Sequence, residues 1–206
     1  MTSVYSIRNF IADAKTILAR DLPLQQQKEE IADRLRHLAA RDDLTRFAHD
    51  LGPTDASSGT KLLWLEPPYT FLQLAKFDRH YRSPVHAHDD FWIVACGYRG
   101  CDRWDIYERV DDGSVPGHAE VRQVDEVLIP AGGVAWMREP PQAIHSHNNV
   151  FDGDSWELVF SAAEPIPHAQ RLLFNLDENT CRGSHYNSSE LFPGGLYPPP
   201  PGSNTA

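Results

Sequence analysis

The chain from Ser83 to Tyr98 reads SPVHAHDDFWIVACGY, and its two halves carry different information. The second half, Phe91 to Tyr98, is a short apolar run rich in aromatic and β-branched residues, the composition of a strand. The first half sets His86 and His88 two residues apart just ahead of that run. In an extended chain, residues i and i+2 face the same side, so the two imidazoles aim at one point. Neutral imidazole is a good ligand for iron, zinc, nickel or copper, and two of them from one strand need at least one further ligand from elsewhere.

The strand texture extends on both sides of this stretch. Tyr69 to Phe77 alternates loosely, and Trp104 to Val110 alternates apolar with charged side chains before the turn Asp111-Asp112-Gly113. Val127 to Ile129, Val134 to Met137 and Trp156 to Phe160 bring the expected count to at least six short strands. Turns rich in Gly, Pro and Asp separate them, with no long helix between. That arrangement predicts a mainly β fold, a sandwich or barrel of antiparallel strands.

Residues ahead of the strands read as helical. Ile7, Phe10, Ile11, Ala14, Ile17 and Leu18 recur at spacings of three and four, until Asp21-Leu22-Pro23 breaks the pattern. A second helix is expected from about Leu24 to Ala40, with Ile31, Leu35 and Leu38 on its apolar face and Lys28 among the residues turned elsewhere. A third, short one covers Leu44 to Leu51. The loop Gly52 to Gly59 closes a helical segment at residues 1–59 that packs on a barrel spanning 60–178. From Asn179 the sequence turns polar and ends near Tyr197-Pro198-Pro199-Pro200-Pro201-Gly202, so 179–206 is expected as an arm or a disordered tail.

Composition narrows the partners. At 206 residues, 41% hydrophobic and 23% charged, the chain suits one globular domain with appendages. Its formal net charge of -10 repels phosphate backbones, which argues against nucleic acid and anionic membrane. No apolar run approaches the roughly 20 residues that span a bilayer. The opening MTSVYSIRNFIADAK lacks a signal-peptide core, and three cysteines make no disulfide framework. The expectation is a soluble protein of the reduced cytoplasm.

Four of the ten histidines form two His-x-His pairs, His86/His88 and His145/His147. One such pair is a weak signal. The surrounding residues strengthen it, because Ser83-Pro84-Val85-His86-Ala87-His88 with Gly97, then Ile129-Pro130-Ala131-Gly132-Gly133, then His145-x3-Asn149 resemble, in order, the motif elements of the cupin superfamily. Leu62-Leu63-Trp64, Phe71-Leu72-Gln73-Leu74, Gly100 to Tyr107, Ile144-His145 and Arg171-Leu172-Leu173-Phe174 further resemble its cysteine-dioxygenase-like branch, which holds thiol dioxygenases and metal-dependent enzymes of the double-stranded β-helix class. The likeness covers about residues 60–176.

This resemblance implies a double-stranded β-helix (cupin or jelly-roll barrel) with N-terminal α-helices and a three-histidine metal centre at His86, His88 and His145. It implies an Fe(II)-dependent dioxygenase that couples dioxygen to a small molecule, a thiol or sulfur-containing acid, and pairing into a homodimer. Zn, Ni and Mn stay open as the metal, and with them a hydrolase, lyase or isomerase, or a small-molecule-binding protein without turnover. His147 competes with His145 for the third ligand position, and only the spacing to Asn149 favours His145. The cupin glutamate would fall at Trp92 or Ile93, which cannot ligate. The His and Tyr positions of thiol dioxygenases align with Leu158 and Phe160, and their carboxylate-binding arginine falls near Lys61. Asp89, Asp90 and Asn149 are candidates for orienting the imidazoles. Lys61, Arg82, Arg99 and Arg103 are candidates for holding an anionic substrate. Trp92, Trp104, Trp136 and Trp156 are expected to fill the barrel or its helical cover, with one of them facing the pocket.

Overall fold

The computed structural model describes residues 5–48, 58–66, 70–88, 92–138, 142–162 and 170–185. Helix α1, Ile7–Leu18, starts where Ser6 and Asn9 cap each other: Ser6 Oγ accepts from the Asn9 N–H and Asn9 Oδ1 accepts from the Ser6 N–H. Pro23 then stands at the N-terminus of α2, Leu24–Ala39, a position where its missing N–H costs nothing. Their apolar stripes meet, and a short 3-10 helix follows at Leu44–Ala48. The residues beyond 48 that the sequence also reads as helical lie outside the described residues.

Eleven strands follow among the described residues: β1 Ser58–Glu66, β2 Thr70–Phe77, β3 Val85–His88, β4 Trp92–Arg99, β5 Cys101–Arg109, β6 Val121–Pro130, β7 Val134–Trp136, β8 Ile144–Asn149, β9 Ser155–Ala162, β10 Gln170–Asn175 and β11 Thr180–His185. They divide into one sheet ordered β1-β2-β9-β4-β7 and a second ordered β11-β10-β3-β8-β5-β6. Apart from the β5–β6 hairpin, which stays in the second sheet, the central strands β2 to β9 pass from sheet to sheet in turn, which makes a double-stranded β-helix, the cupin or jelly-roll barrel. β11 lies within the segment expected as an arm or tail, and it pairs along β10 as an added edge strand. The rest of that segment, 186–206, lies outside the described residues.

Strand alternation sorts side chains into three layers. Leu72, Leu74, Val94, Cys96, Tyr98, Leu158 and Phe160 face the helices and pack on Phe10, Ala14, Ile31, Leu35 and Leu38. Ala75, Phe77, Ile93, Ala95, Trp104, Ile106, Ile129 and Val159 fill the space between the sheets. A smaller cluster of Val85, Ala87, Tyr107, Ile144 and Phe174 covers the far side of the second sheet. Lys28 departs from the expected polar face of α2: it is 3% exposed, and its ammonium donates to the Met137 carbonyl at 3.2 Å, tying helix to barrel.

The turn after β6 is latched to β4. Gly132, at φ +79°, donates to the Gly97 carbonyl at 2.8 Å, and the Gly97 N–H donates to Gly133 O at 2.9 Å. A Cβ on Gly97 would lie 2.2 Å from Pro130 O, so only glycine permits this approach. No helix among the described residues is long and apolar enough to cross a membrane.

Candidate metal centre

β3 is four residues long and is held on both sides, by β10 and by β8. In the β3–β8 ladder His86 stands directly opposite His145, and alternation puts His88 on the same face as His86. The three imidazoles therefore converge between the sheets, with ring centroids 4.4 Å (His86–His145), 4.8 Å (His86–His88) and 5.4 Å (His88–His145) apart. One nitrogen from each lies within 4.8 Å of the others. His86 and His145 are each 2% exposed, whereas His88 is half-buried and marks the open side of the cluster.

Tautomer control is visible at His86. Its Nδ1 lies 2.9 Å from the carbonyl oxygen of Pro84, an acceptor, so Nδ1 carries the proton and Nε2 keeps the lone pair. A ligand nitrogen oriented by a backbone carbonyl is the usual support of a metal-bound histidine. Trp104 lies flat on His145, with centroids 4.6 Å apart and planes 9° from parallel, which fixes that ring from the other side. Three converging imidazoles, two buried and one half-buried, fit a first-row divalent ion such as Fe(II), Zn(II), Ni(II) or Mn(II).

The other predicted residues are scattered by the fold. His147 does face inward, stacking at 5.1 Å on Phe77, but it lies beyond His145, and its Nδ1 is 3.0 Å from Asp102 Oδ2. Asn149 does not orient an imidazole. Its amide N–H groups contact the carbonyls of Phe77, Asp78 and Gly153 at 2.8–3.0 Å, and its Oδ1 accepts from the Phe151 N–H, so it ties two loops together. Phe160 packs outside the barrel against Phe10, Trp64 and Trp92, with centroids 5.4–6.3 Å away.

Leu158 and Phe160, which align with the thiol-dioxygenase His and Tyr positions, do not face the interior: both face the helices, and Glu157 and Val159 are the inward residues of β9, one residue away. In a strand a shift of one residue exchanges the two faces completely. Lys61 stands opposite Leu74, on the helix side of the first sheet. Arg82 is exposed and makes an isolated bridge to Asn148. Arg99 donates to the Asp42 carbonyl, and Arg103 pairs with Asp105 at 2.7 Å. Asp89 and Asp90 lie outside the described residues. Of the tryptophans expected to fill the barrel or its cover, Trp104 belongs to the interior cluster, and Trp92, Trp136 and Trp156 pack with the helix-side core.

A second inward group escapes the histidine pattern. Asp102 and Glu157 are each 1% exposed, and one oxygen of each lies within 4.8 Å of the other and of a His147 nitrogen. Burial, reinforced by the adjacent Asp102, pushes the Glu157 carboxyl well above the usual range. A glutamate inside the apolar run Trp156 to Phe160 was the signal for it in the sequence, and Asp102 follows from sharing a face with Trp104. A cavity of about 300 Å³ lies away from both groups, between α1 and the β1–β2 hairpin, lined by Lys15, Leu18, Trp64 and Glu66.

No family model matches the sequence, and no curated protein matches it. Solved structures resemble it at low identity. The cupin domain of Cnp3 from Schizosaccharomyces pombe is 12% identical, with 52% of this chain and 66% of that one covered and a TM-score of 0.40. A recombinant oxalate oxidase in complex with glycolate is 15% identical at TM-score 0.41, and this chain covers 54% of itself and only 53% of that enzyme. A sugar phosphate isomerase of the cupin superfamily from Silicibacter pomeroyi is 13% identical at TM-score 0.42, covering 64% and 78%. The likeness ends at the architecture.

Proposed function

We propose that the protein is a cysteine-dioxygenase-like cupin, a non-haem Fe(II) enzyme that adds dioxygen to a small molecule, with thiols and sulfur-containing acids as the substrate class. The observation that carries this reading is the convergence of His86, His88 and His145 with one nitrogen each inside 4.8 Å. Bound there, Fe(II) would keep its full charge, because all three ligands are neutral, and would keep open positions for a substrate and dioxygen.

The chain's own residues supply the rest. Pro84 O holds the His86 tautomer, Trp104 holds the plane of His145, and the apolar interior of Phe77, Ile93, Ile106 and Val159 excludes water. The half-buried side of His88 is where a substrate would enter. A reducing cytoplasm suits both Fe(II) and the free thiols Cys96, Cys101 and Cys181.

The test is anaerobic reconstitution with Fe(II), then oxygen-uptake measurements across a panel of thiols and sulfur-containing acids. Stoichiometric uptake with one of them, lost in His86→Ala, is the expected result. Full iron occupancy with no uptake on any member overturns the thiol reading, and oxygen-insensitive turnover with Zn(II) or Ni(II) replaces it with a hydrolase, lyase or isomerase.

A further inference from the structure

We propose that Asp102, His147 and Glu157 form a second divalent-cation site inside the barrel, next to the three-imidazole cluster. Three strands build it. Asp102 comes from β5, His147 from β8 and Glu157 from β9, so each sheet contributes and the group closes across the interior.

The argument begins with charge. Two carboxyl groups at 1% exposure, side by side, are costly unless something neutralises them, since each ion taken from water loses several kcal/mol of solvation. The basic group in reach is His147, whose Nδ1 is 3.0 Å from Asp102 Oδ2 and 3.9 Å from Glu157 Oε2.

The hydrogen-bond census points the same way. Among the described residues, Asp102 Oδ1 and both Glu157 carboxylate oxygens are buried with no hydrogen bond of normal geometry, and only the Asp102 carboxyl and the Trp104 indole stand against Glu157. Buried polar atoms of this kind are rare and ask for an ion, a water or a shared proton. A proton shared between Asp102 and Glu157, with the Trp104 indole N–H against Glu157, meets part of this demand. A divalent cation satisfies several oxygens together, and its two charges balance two carboxylates.

Two carboxylates with one imidazole suit Mn(II), Fe(II) or Zn(II) rather than a soft ion. The site is contiguous with the first: the His147 ring lies 5.1 Å from His145 and 5.8 Å from His86, and Trp104 touches both His145 and His147. This proposal is independent of the dioxygenase reading, since it requires cation binding and no oxygen chemistry.

The experiment is equilibrium dialysis of chelator-stripped, full-length protein against Mn(II), with metal counted per chain, for the wild type, Glu157→Gln, Asp102→Asn and His86→Ala. Two equivalents in the wild type are expected, with one remaining in each single variant and none in Glu157→Gln combined with His86→Ala. Affinity for the lost equivalent should fall at least 100-fold. An anomalous-scattering map of the Mn(II)-loaded wild type, expected to show a peak between the three side chains, decides the matter should a variant fail to fold. A single equivalent in the wild type that is lost in His86→Ala and kept in Glu157→Gln overturns the second site and leaves the three-imidazole centre standing. A single equivalent with the reverse dependence removes the three-imidazole centre and leaves the second site standing. No anomalous peak among Asp102, His147 and Glu157 overturns the proposal outright.

Discussion

Trp104 and His145 sit on adjacent strands with their rings in parallel contact, 4.6 Å between centroids and 9° between planes. Trp104 is 1% exposed, so its indole acts as a fixed plate behind one candidate ligand. Replacing Trp104 with Ala should cost about 3–5 kcal/mol of stability, the usual price of emptying a buried aromatic site. Trp104→Phe should keep most of the stability, while letting His145 rotate enough to weaken metal binding roughly 10-fold, as lost support around a ligand does. Chemical denaturation and metal titration on the two variants separate the packing effect from the orienting one.

Asn149 gives the converse case. The resemblance placed it beside the third histidine, yet its amide is spent on backbone carbonyls of Phe77, Asp78 and Gly153. Asn149→Ala strands several buried polar groups and should lose about 2–4 kcal/mol, at roughly 1–3 kcal/mol for each unsatisfied group. Metal stoichiometry should be unchanged in the folded fraction. Metal loss in a well-folded Asn149→Ala protein would show a ligand-orienting role instead.

Gly97 lies hard against the backbone at the end of β6. A methyl group there would meet Pro130 O at 2.2 Å and Pro130 C at 2.8 Å, both backbone atoms with no freedom to swing aside. Gly97→Ala should therefore destabilise by about 3 kcal/mol or more, at the upper end of overpacking effects. Gly132→Ala, whose added carbon meets nothing within 4 Å but whose φ is +79°, should cost only the left-handed backbone penalty of about 1–2 kcal/mol. Thermal unfolding of the pair tests the ranking.

Cys96 predicts a pH dependence. Burial pushes its thiol up to about 12 from the ordinary 9. Because the folded protein favours the neutral thiol, that contribution to stability is fully present below pH 9 and is lost as pH rises toward 12. At pH 8 roughly one molecule in ten thousand carries the thiolate. Iodoacetamide at that pH should leave Cys96 unmodified in the native protein and label it after unfolding, while the half-buried Cys101 and Cys181 react first. Mass spectrometry of tryptic peptides reads the order, and early Cys96 labelling would mean that β4 opens easily.

Much of the architecture was legible because its signals are local. The spacing of Ile7 to Leu18 and the break at Pro23 define the helices, and the run Phe91 to Tyr98 defines a strand, from periodicity and turn chemistry alone. β1 and β11 were harder, since among the described residues Ser58–Glu66 and Thr180–His185 are edge strands paired on one side only, with no strict apolar alternation. His86 and His88 could be paired on one face by counting by two, and their meeting with His145 needed only the motif order. The facing of β9 was not legible: Leu158 and Phe160 are as apolar as any interior pair, and a sheet with helices on one side and a barrel interior on the other gives no polar face to set the register. Glu157 was overlooked for the same reason, because a lone acid in an apolar strand reads as a solvent-facing residue until both faces prove to be covered.

The strand bearing His86 and His88 spans only Val85–His88, and all four of its residues pair with β10, far along the chain, whereas only two pair with β8. Peeling the β10–β11 hairpin away would leave those four residues clamped from one side by two ladder positions of β8. Metal retention and the integrity of a remote hairpin are thus one mechanical problem. A truncation or fusion that disturbs residues 170–185 would therefore unsettle the positions of His86 and His88 and weaken any metal held between them and His145.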